Sequence, residues 1–303
     1  MAHRSVLLQE SLNALALEEG MTILDGTFGA GGHSRAIAER IGLTGTLIAL
    51  DRDREVFSDA ICRELGTLTR FIHAVSDFRH AGEVLDRESI REIDGALLDL
   101  GLSSTQLESS GRGFTFQKDE PLLMTFEKDP GDGTVTAMAI VNRWDEEDLT
   151  LIFREFAEER YAPRIARAIA NARDTRPIAT TTELVDVIRS AVPAAYRNGK
   201  IHPATRVFQA LRMAVNGELN AVMDAIPAIA RRLRPGGRLA VISFHSVEDR
   251  VVKRTALALV RDGLLEAIAK KPIAPTREEV QENPRARSAK LRIYQKHLST
   301  DTI

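Results

Sequence analysis

Residues 21–41 read MTILDGTFGAGGHSRAIAERI, and this stretch decides the fold. It begins with a short apolar run ending in Asp25, continues through a glycine-rich loop, and passes into a pattern typical of an amphipathic helix. Glycines at positions 29, 31 and 32 allow positive φ and let the backbone approach a ligand closely. A strand, a glycine loop and a helix in this order predict a ligand-binding crevice in an open α/β sheet, with the free N–H groups of the helix start facing it.

The same alternation of apolar runs and helical patterns continues through the first hundred residues or so. The apolar runs lack the period-two alternation of half-exposed strands, so we expect a mostly parallel, doubly wound sheet that is buried on both faces. The predicted strands are 21–25, 46–51, 70–75 and 94–100, and the predicted helices are 34–41 and 55–65.

The alternating pattern stops after the fourth predicted strand. Amphipathic helical patterns follow at 144–173 and 181–192, and strand-like sequence returns only at 237–244 and 290–296. The simplest interpretation is a single α/β sheet interrupted by an all-helical domain of roughly a hundred residues, a common domain size. We predict the sheet domain over 1–108 and 213–303, with the inserted domain over 109–212.

Composition narrows the class of protein. The chain has 303 residues, a net charge of −2 and one cysteine, Cys62, so no intramolecular disulfide can form. No stretch approaches the roughly 18 apolar residues of a membrane span, and the opening residues lack the apolar run of a signal peptide. We therefore expect a cytoplasmic protein without membrane contact. The histidines do not fall into ligand spacings, so no metal site is expected.

Acidic residues close two of the predicted strands. Asp51 lies twenty residues after Gly31 and ends the second strand, where a carboxylate can accept both ribose hydroxyls of an adenosine group. Asp99 opens the polar run DLGLSSTQ at the end of the fourth strand. The glycine spacing is not G-x-G-x-x-G, and these features alone leave NAD(P), S-adenosylmethionine and a glycine turn without any ligand open. The polar run favours methyl transfer.

Longer motifs carry a resemblance that covers almost the whole chain. They are HRSVLLQE, LDGTFGAGGHSRAI, ALDRD, LLDLGLSSTQLE, RGFTF, EERYAPRIARAI, HPATRVFQALRMAVNGEL, LRPGGRLAVISFHSVEDRVVKR and ENPRARSAKLR. In this order they resemble the bacterial 16S rRNA (cytosine-N4)-methyltransferase family. The resemblance implies a class I, Rossmann-like S-adenosylmethionine-dependent methyltransferase with an inserted helical substrate domain. It also implies 16S rRNA in the decoding region of the small ribosomal subunit as substrate, and a homodimer is a further expectation.

The resemblance assigns roles to individual residues. For catalysis the positions at the ends of the predicted strands make two residues candidates: Asp99, which suits either the cofactor or the cytosine amine, and His245, for which an ordinary structural histidine is the alternative. The target base has to leave its stack to reach the cofactor. The cofactor positions that carry over are Gly31, Gly32, His33, Asp51, Phe78, Asp99 and Gln106.

Contacts to RNA are predicted from the helical pattern and from basic loops. In HPATRVFQALRM the polar residues Arg206, Gln209 and Arg212 recur along one stripe, beside an apolar face. Arg285 and Arg287 lie in a predicted loop where they can bind phosphates. Arg160 and Arg164 are further candidates, and surface ion pairs are the alternative interpretation for them. For the basic residues in general, the alternative is that they lie on solvated helix faces.

One segment departs from the family pattern. Where family members read close to Pro-Leu-Asp-Met-Arg-Met, this chain has PLLMTF at 121–126, so that Leu123 and Thr125 replace an acid and a base. Two alternatives follow from a changed substrate segment: a methyltransferase of a different RNA site, or a ribosome-assembly binding protein with this fold and little catalysis. A nicotinamide dehydrogenase is more distant, because the glycine spacing does not fit and no hydride-transfer partner is evident.

Overall fold

A computed structural model describes residues 5–101, 110–127, 131 and 133–298. The chain divides into two compact units, one formed by Met1–Gly101 with Leu219–Ile303 and one by Leu102–Glu218. The inserted unit therefore extends beyond the expected bounds of 109 and 212. A boundary at 212 would cut helix Ala204–Asn216, which packs as one element in the core of the inserted unit.

The first unit is built on a seven-stranded sheet with the order β3-β2-β1-β4-β5-β7-β6. Strands β1 to β5 are parallel to one another, while β7 is antiparallel to both β5 and β6, so the sheet is mostly parallel as predicted. The strands are β1 (Thr22–Asp25), β2 (Thr46–Asp51), β3 (Arg70–Val75), β4 (Ile93–Asp99), β5 (Leu233–Ser243), β6 (Leu265–Ala267) and β7 (Lys290–Lys296).

Helices cover both faces of this sheet. Neighbouring residues of β1 show why its sequence is apolar throughout: Ile23 and Leu24 are both fully buried, and they belong to separate core clusters. The helices of this unit are α1 (Leu8–Leu15), α2 (Gly32–Ile41), α3 (Asp59–Leu68), α4 (Ala81–Arg87), α11 (Glu218–Arg232), α12 (Ser246–Arg261) and α13 (Arg277–Glu282).

Two details of this unit differ from the sequence prediction. In place of the predicted helix 55–65, the structure has a short 3-10 turn, Arg54–Val56, followed by α3. Helix α3 begins after Ser58 because the Ser58 side chain caps it, accepting a hydrogen bond from the backbone N–H of Ile61. Strand β6 was not predicted, since three residues are too few to form a recognisable apolar pattern.

The inserted unit is helical. The pattern at 144–173 forms two helices, the first capped by Asp145, and the helix predicted at 181–192 is confirmed with a capping box between Thr180 and Glu183. Its helices are α5 (Ala137–Arg143), α6 (Glu146–Glu155), α7 (Ala162–Thr175), α8 (Thr181–Ala191), α9 (Ala194–Arg197) and α10 (Ala204–Asn216). No helix in the described parts of the chain is long and apolar enough to cross a membrane.

The departing segment 121–126 lies in the core of the inserted unit. Leu122 and Met124 are fully buried there. The side chain of Asn216, in the last turn of α10, holds the segment: its Oδ1 accepts a hydrogen bond from Phe126 N at 2.9 Å, and its Nδ2 donates to Met124 O at 2.7 Å. The substituted segment is therefore packed and hydrogen-bonded within this unit.

We expect Asn216→Ala to destabilise the inserted unit by about 2–4 kcal/mol, because the change removes one hydrogen bond from the half-buried Phe126 N–H and one from the buried Met124 carbonyl. Trp144 is the only tryptophan of the chain and lies in this unit, so its fluorescence during urea unfolding reports the change. Asn171→Ala, on the exposed face of α7, is the control and should alter stability by less than about 0.5 kcal/mol. Equal stability of the two variants would contradict the prediction.

Candidate active site

Three aspartates end neighbouring strands at one edge of the sheet. Strand β1 lies between β2 and β4, and the chain turns outward on opposite sides of β1 to form β2 and later β4. Such a switch point opens a crevice at the carboxyl ends of the strands. Asp25, Asp51 and Asp99 are the last residues of β1, β2 and β4, so the crevice predicted from the sequence is acidic.

Asp25 organises the glycine loop from below. It is 1% exposed, and its carboxylate accepts hydrogen bonds from Thr27 N at 3.1 Å and from Ser34 Oγ at 2.6 Å. Thr27 in turn links the loop to β4, because its Oγ1 accepts a hydrogen bond from Asp99 N at 2.6 Å. Burial raises the pKa of Asp25. The sequence motif contains Asp25, Thr27 and Ser34 without indicating a role for them, although the strand-end position of Asp25 matches that of Asp51 and Asp99.

Asp51 contacts the same loop from β2. Its Oδ2 accepts a hydrogen bond from Gly29 N at 2.8 Å, and its Oδ1 accepts one from Asp53 N at 2.9 Å. Burial raises the pKa of Asp51 to about 6, and the charges of Asp53 and Asp25 act in the same direction. Each carboxylate oxygen keeps acceptor capacity beyond its one backbone partner, which fits a ligand that presents hydroxyl groups.

Asp99 has one carboxylate oxygen without a hydrogen-bond partner in the described part of the chain. Its Oδ1 is buried and finds no hydrogen-bond partner among the described residues, while its Oδ2 lies 3.7 Å from His33 Nδ1. Burial raises the pKa of Asp99 to about 6, the His33 ring lowers it, and the charge of Asp25 raises it further. A buried acceptor without a partner is costly in a folded protein, so this atom points to a ligand that donates a hydrogen bond.

His33 connects Asp99 to the N-terminal segment of the chain. The ring is 7% exposed, and its Nε2 lies 3.1 Å from the carbonyl oxygen of Val6. A carbonyl oxygen only accepts, so Nε2 carries a hydrogen atom and Nδ1 is the nitrogen turned towards Asp99. His33 thus lies beside Asp99 within the crevice.

Two glycines of the loop, Gly31 and Gly32, leave no room for a side chain. Gly31 has φ +75°, and a β carbon there would lie 2.7 Å from Ile61 Cδ1 and 2.9 Å from Phe28 Cζ. At Gly32 a β carbon would lie 2.1 Å from Ser5 Oγ. Phe78 follows β3 and approaches the same loop, since its β carbon lies 3.1 Å from the position that a β carbon of Gly26 would take. Gln106 lies outside the described residues.

His245 follows β5 and caps helix α12. Its Nδ1 accepts a hydrogen bond from Glu248 N at 3.2 Å, so in the neutral ring Nε2 carries the hydrogen atom. Nε2 lies 2.8 Å from Oε1 of the buried Glu248, although not in hydrogen-bond geometry. The local role of His245 is therefore to begin a helix, and the expected contact with the target base stays a proposal.

The predicted RNA stripe is not a row of free side chains. Gln209 Nε2 donates to Phe156 O at 3.3 Å, and Arg212 forms two 2.7 Å hydrogen bonds with Glu218. Arg206 Nη1 lies 3.5 Å from Glu158 O. Two of the three predicted side chains thus hold the inserted unit together.

Arg285 and Arg287 are both exposed on a 3-10 turn, Pro284–Ser288, of the sheet unit. Ala286 between them is fully buried and fixes the turn. This placement is compatible with the predicted binding of phosphate groups, which stays a prediction.

The charges of the crevice discriminate between possible ligands. Three carboxyl groups converge there, and the described residues contain no cluster that could hold a metal ion. A dinucleotide pyrophosphate would add negative charge to this crevice, whereas S-adenosylmethionine brings a sulfonium and an ammonium group. The residues present therefore fit S-adenosylmethionine better than NAD(P).

The chain is similar to known proteins along nearly its whole length. The sequence profile of a family described as the MraW methylase family matches residues 1–297. A protein of Halothermothrix orenii named "Ribosomal RNA small subunit methyltransferase H" is 40% identical over 99% of this chain and 100% of its own length. A protein of the same name from Heliobacterium mobile is 44% identical over 97% of this chain and 98% of its own length. The crystal structure of an rRNA methylase from Streptococcus thermophilus covers 98% of this chain and 99% of its own, at 13% identity and a TM-score of 0.44.

Proposed function

The chain belongs to the MraW methylase family, and from this premise we propose that it methylates the N4 amino group of a cytosine in 16S rRNA, using S-adenosylmethionine. One observation carries the proposal: the buried Oδ1 of Asp99 has no partner among the described residues. Asp99 itself ends a strand beside the glycine loop. We further propose that the reaction takes place in the cytoplasm on the small ribosomal subunit, and the expected homodimer stays a prediction.

The crevice offers a group for each part of the cofactor. The carboxylate of Asp51 would accept the ribose hydroxyls, and Phe78 would pack against the adenine. The backbone N–H groups at the start of α2, behind Gly31 and Gly32, would bind the methionine carboxylate. These positions are the ones that the family resemblance implies, together with His33 and Gln106.

Asp99 would act on the amine of the target cytosine. The lone pair of N4 is delocalised into the ring, so the amine is a weak nucleophile. Asp99 Oδ1 would accept a hydrogen bond from N4–H, which concentrates the lone pair on nitrogen and orients it. When bound, the cofactor supplies a methyl group on a positively charged sulfur. Asp99 would take the proton that N4 releases when it is methylated. Alignment of the reacting atoms provides much of the acceleration.

The single cysteine does not fit a covalent mechanism. Cys62 lies on α3 with its Sγ 3.9 Å from His73 Nδ1, and burial raises the pKa of its thiol. An activated nucleophile would need a lowered pKa instead. Direct transfer to an exocyclic amine needs no such nucleophile, so the structure favours an amino group over a ring carbon as target.

The alternatives kept from the sequence are not favoured. Both rested on the departing segment 121–126, which is packed in the core of the inserted unit. Close relatives over nearly the full length carry the name of the methyltransferase, and the strand-end aspartates are all present.

We expect cofactor affinity to fall about tenfold between pH 7.5 and pH 5. The reason is that hydroxyl groups bind the ionised Asp51, whose pKa is about 6, so that lowering the pH through 6 protonates the acceptor. Isothermal titration with S-adenosylhomocysteine measures the change. Asp51→Asn should bind more weakly at neutral pH and lose most of the pH dependence. An unchanged pH profile in this variant would show that another group titrates.

Transfer itself is tested on small ribosomal subunits from cells that lack the native enzyme. The protein is incubated with the subunits, or with naked 16S rRNA, and with S-adenosylmethionine labelled in its methyl group. We expect label in 16S rRNA, at most one methyl group per molecule. Label in neither RNA sample, from protein that binds the cofactor, would contradict the proposed function.

A further inference from the structure

A group of arginine and tyrosine side chains gathers on the inserted unit, close to the end of α6 and the start of α7. We call it the Arg–Tyr patch, and it consists of Arg160, Tyr161, Arg164, Tyr196 and Arg206. The two tyrosines come from separate parts of the chain, and their ring centroids lie 4.8 Å apart in an edge-to-face arrangement.

A buried carboxylate fixes the tyrosines. Glu159 is 2% exposed, its Oε1 accepts a hydrogen bond from Tyr161 N at 2.8 Å, and its Oε2 accepts one from Tyr196 OH at 2.6 Å. Burial and the nearby Glu159 raise the pKa of Tyr196 to about 12, so this hydroxyl keeps its proton and remains the donor. The rings are therefore held in place by an interaction within the unit.

The arginines lie on these rings and not on acids. The guanidinium of Arg160 is 4.8 Å from the centroid of Tyr161 and 5.8 Å from that of Tyr196, and its Nη2 donates to Tyr161 OH at 3.0 Å. Arg164 lies 6.0 Å from the Tyr161 centroid. Within the described residues, neither Arg160 nor Arg164 has a carboxylate within ion-pair distance, and both are exposed.

Two other exposed arginines of the same unit differ in this respect. Arg167 pairs with Glu146 at 3.2 Å, and Arg176 pairs with Glu183. In the described part of the chain Arg160 and Arg164 thus have no carboxylate within ion-pair distance, and a hydrogen bond to the Tyr161 hydroxyl holds the Arg160 guanidinium at that ring. Oriented guanidiniums of this kind suit phosphate groups, and aromatic rings beside them suit unpaired bases.

We propose that the Arg–Tyr patch binds the RNA strand that carries the target cytosine, through contacts of Arg160 and Arg164 to its phosphates. The proposal rests on the proposed function and names the surface of the inserted unit that holds the substrate. A single-stranded RNA fits better than an acidic protein surface, because the patch combines uncompensated guanidiniums with aromatic rings. Arg206, the one predicted stripe residue that belongs to the patch, faces Tyr196 and adds positive charge.

The test compares two double variants that remove the same charge from the same unit. Arg160→Gln with Arg164→Gln removes the exposed cations of the patch, and Arg167→Gln with Arg176→Gln removes two cations that have acid partners. Binding to a 16S rRNA fragment containing the target cytosine is measured by fluorescence anisotropy at several salt concentrations. We expect the patch variant to lose at least tenfold in affinity, with a shallower salt dependence by about 0.7 per lost phosphate contact. The control variant should lose less than threefold.

A third variant separates charge from the ring beneath it. Tyr161→Ala keeps every charge but removes the ring on which Arg160 and Arg164 lie, and we expect an affinity loss of several-fold. Cofactor binding by each variant shows that the sheet unit is intact, and Trp144 fluorescence shows that the inserted unit is folded.

Equal losses in the two double variants, or unchanged RNA affinity in the patch variant, would overturn the proposal. Unchanged affinity for RNA together with lost affinity for whole subunits would assign the patch to a protein partner, and would overturn it as well. Binding is read without catalysis, so these outcomes do not depend on methyl transfer. If the unaltered protein methylates 16S rRNA while the patch variant binds normally, only the inference about the patch fails.

Discussion

Replacing Asp99 by alanine is expected to lower the rate of methyl transfer about 10²- to 10⁴-fold, the usual range for loss of a positioned general base. The change removes Oδ1, the buried acceptor that lacks a partner among the described residues, and with it the group that takes the proton of N4. The loss should appear mainly in kcat under saturating cofactor. Single-turnover transfer to 16S rRNA measures it.

Asp99→Asn is the matched variant, because an amide keeps the shape and one acceptor oxygen but cannot take a proton. We expect it to be nearly as inactive as the alanine variant. In the unaltered protein the pKa of Asp99 is raised to about 6, so kcat should fall as the pH drops below 6 and the carboxyl group becomes protonated. Full activity of either variant, or a rate that rises on acidification, would show that Asp99 does not act on the amine.

Replacing Gly31 by alanine is expected to reduce cofactor affinity by more than about 100-fold. The left-handed conformation at φ +75° costs an alanine roughly 1–2 kcal/mol. The added methyl group would also lie 2.9 Å from Cζ of the buried Phe28, a ring that the surrounding core holds in place. The loop has to shift, and the backbone N–H groups at the start of α2 shift with it. Isothermal titration with S-adenosylhomocysteine measures the loss of affinity.

Gly66→Ala provides the control for Gly31→Ala. Gly66 lies within α3, and a β carbon there meets nothing within 4 Å. Alanine should therefore stabilise the protein by about 0.5–1 kcal/mol and leave cofactor affinity unchanged. If Gly31→Ala bound the cofactor as well as Gly66→Ala, the close approach of the loop to the ligand would be refuted.

The sheet was predictable because its decisive signals are local. Apolar runs ending in Asp25, Asp51 and Asp99 mark three strands, and the glycine loop after the first marks the crevice. Strand order then brings the three aspartates to one edge. Strand β6 could not be predicted because it has only three residues and forms by pairing with β7, which lies more than twenty residues later in the chain.

The site could be predicted only in part, since hydrogen-bond partners do not show in sequence. His245 looks like a residue available to a substrate, yet its ring caps α12 through Glu248. Arg212 continues a polar stripe in the sequence, yet it pairs with Glu218 six positions later. The spacing of residues indicates on which face of a helix a residue lies. It does not indicate whether that residue already binds another side chain of the protein.

The Arg–Tyr patch shows the converse. The sequence offers Arg160 and Arg164 only as candidates for RNA contact, with surface ion pairs as the alternative. Tyr196 lies far along the chain, and only folding of the inserted unit brings it against Tyr161 through the shared partner Glu159. The grouping of the Arg–Tyr patch is therefore visible only in the folded structure.

The most direct test of the central claim identifies the methylated nucleoside. Small subunits from cells that lack the native enzyme are incubated with this protein and S-adenosylmethionine, the 16S rRNA is digested, and the nucleosides are resolved by mass spectrometry. The proposed function predicts N4-methylcytidine, absent from the sample treated with the Asp99→Ala variant. Methylation of a ring carbon, such as 5-methylcytidine, or N4-methylcytidine formed equally by the Asp99→Ala variant, would contradict it.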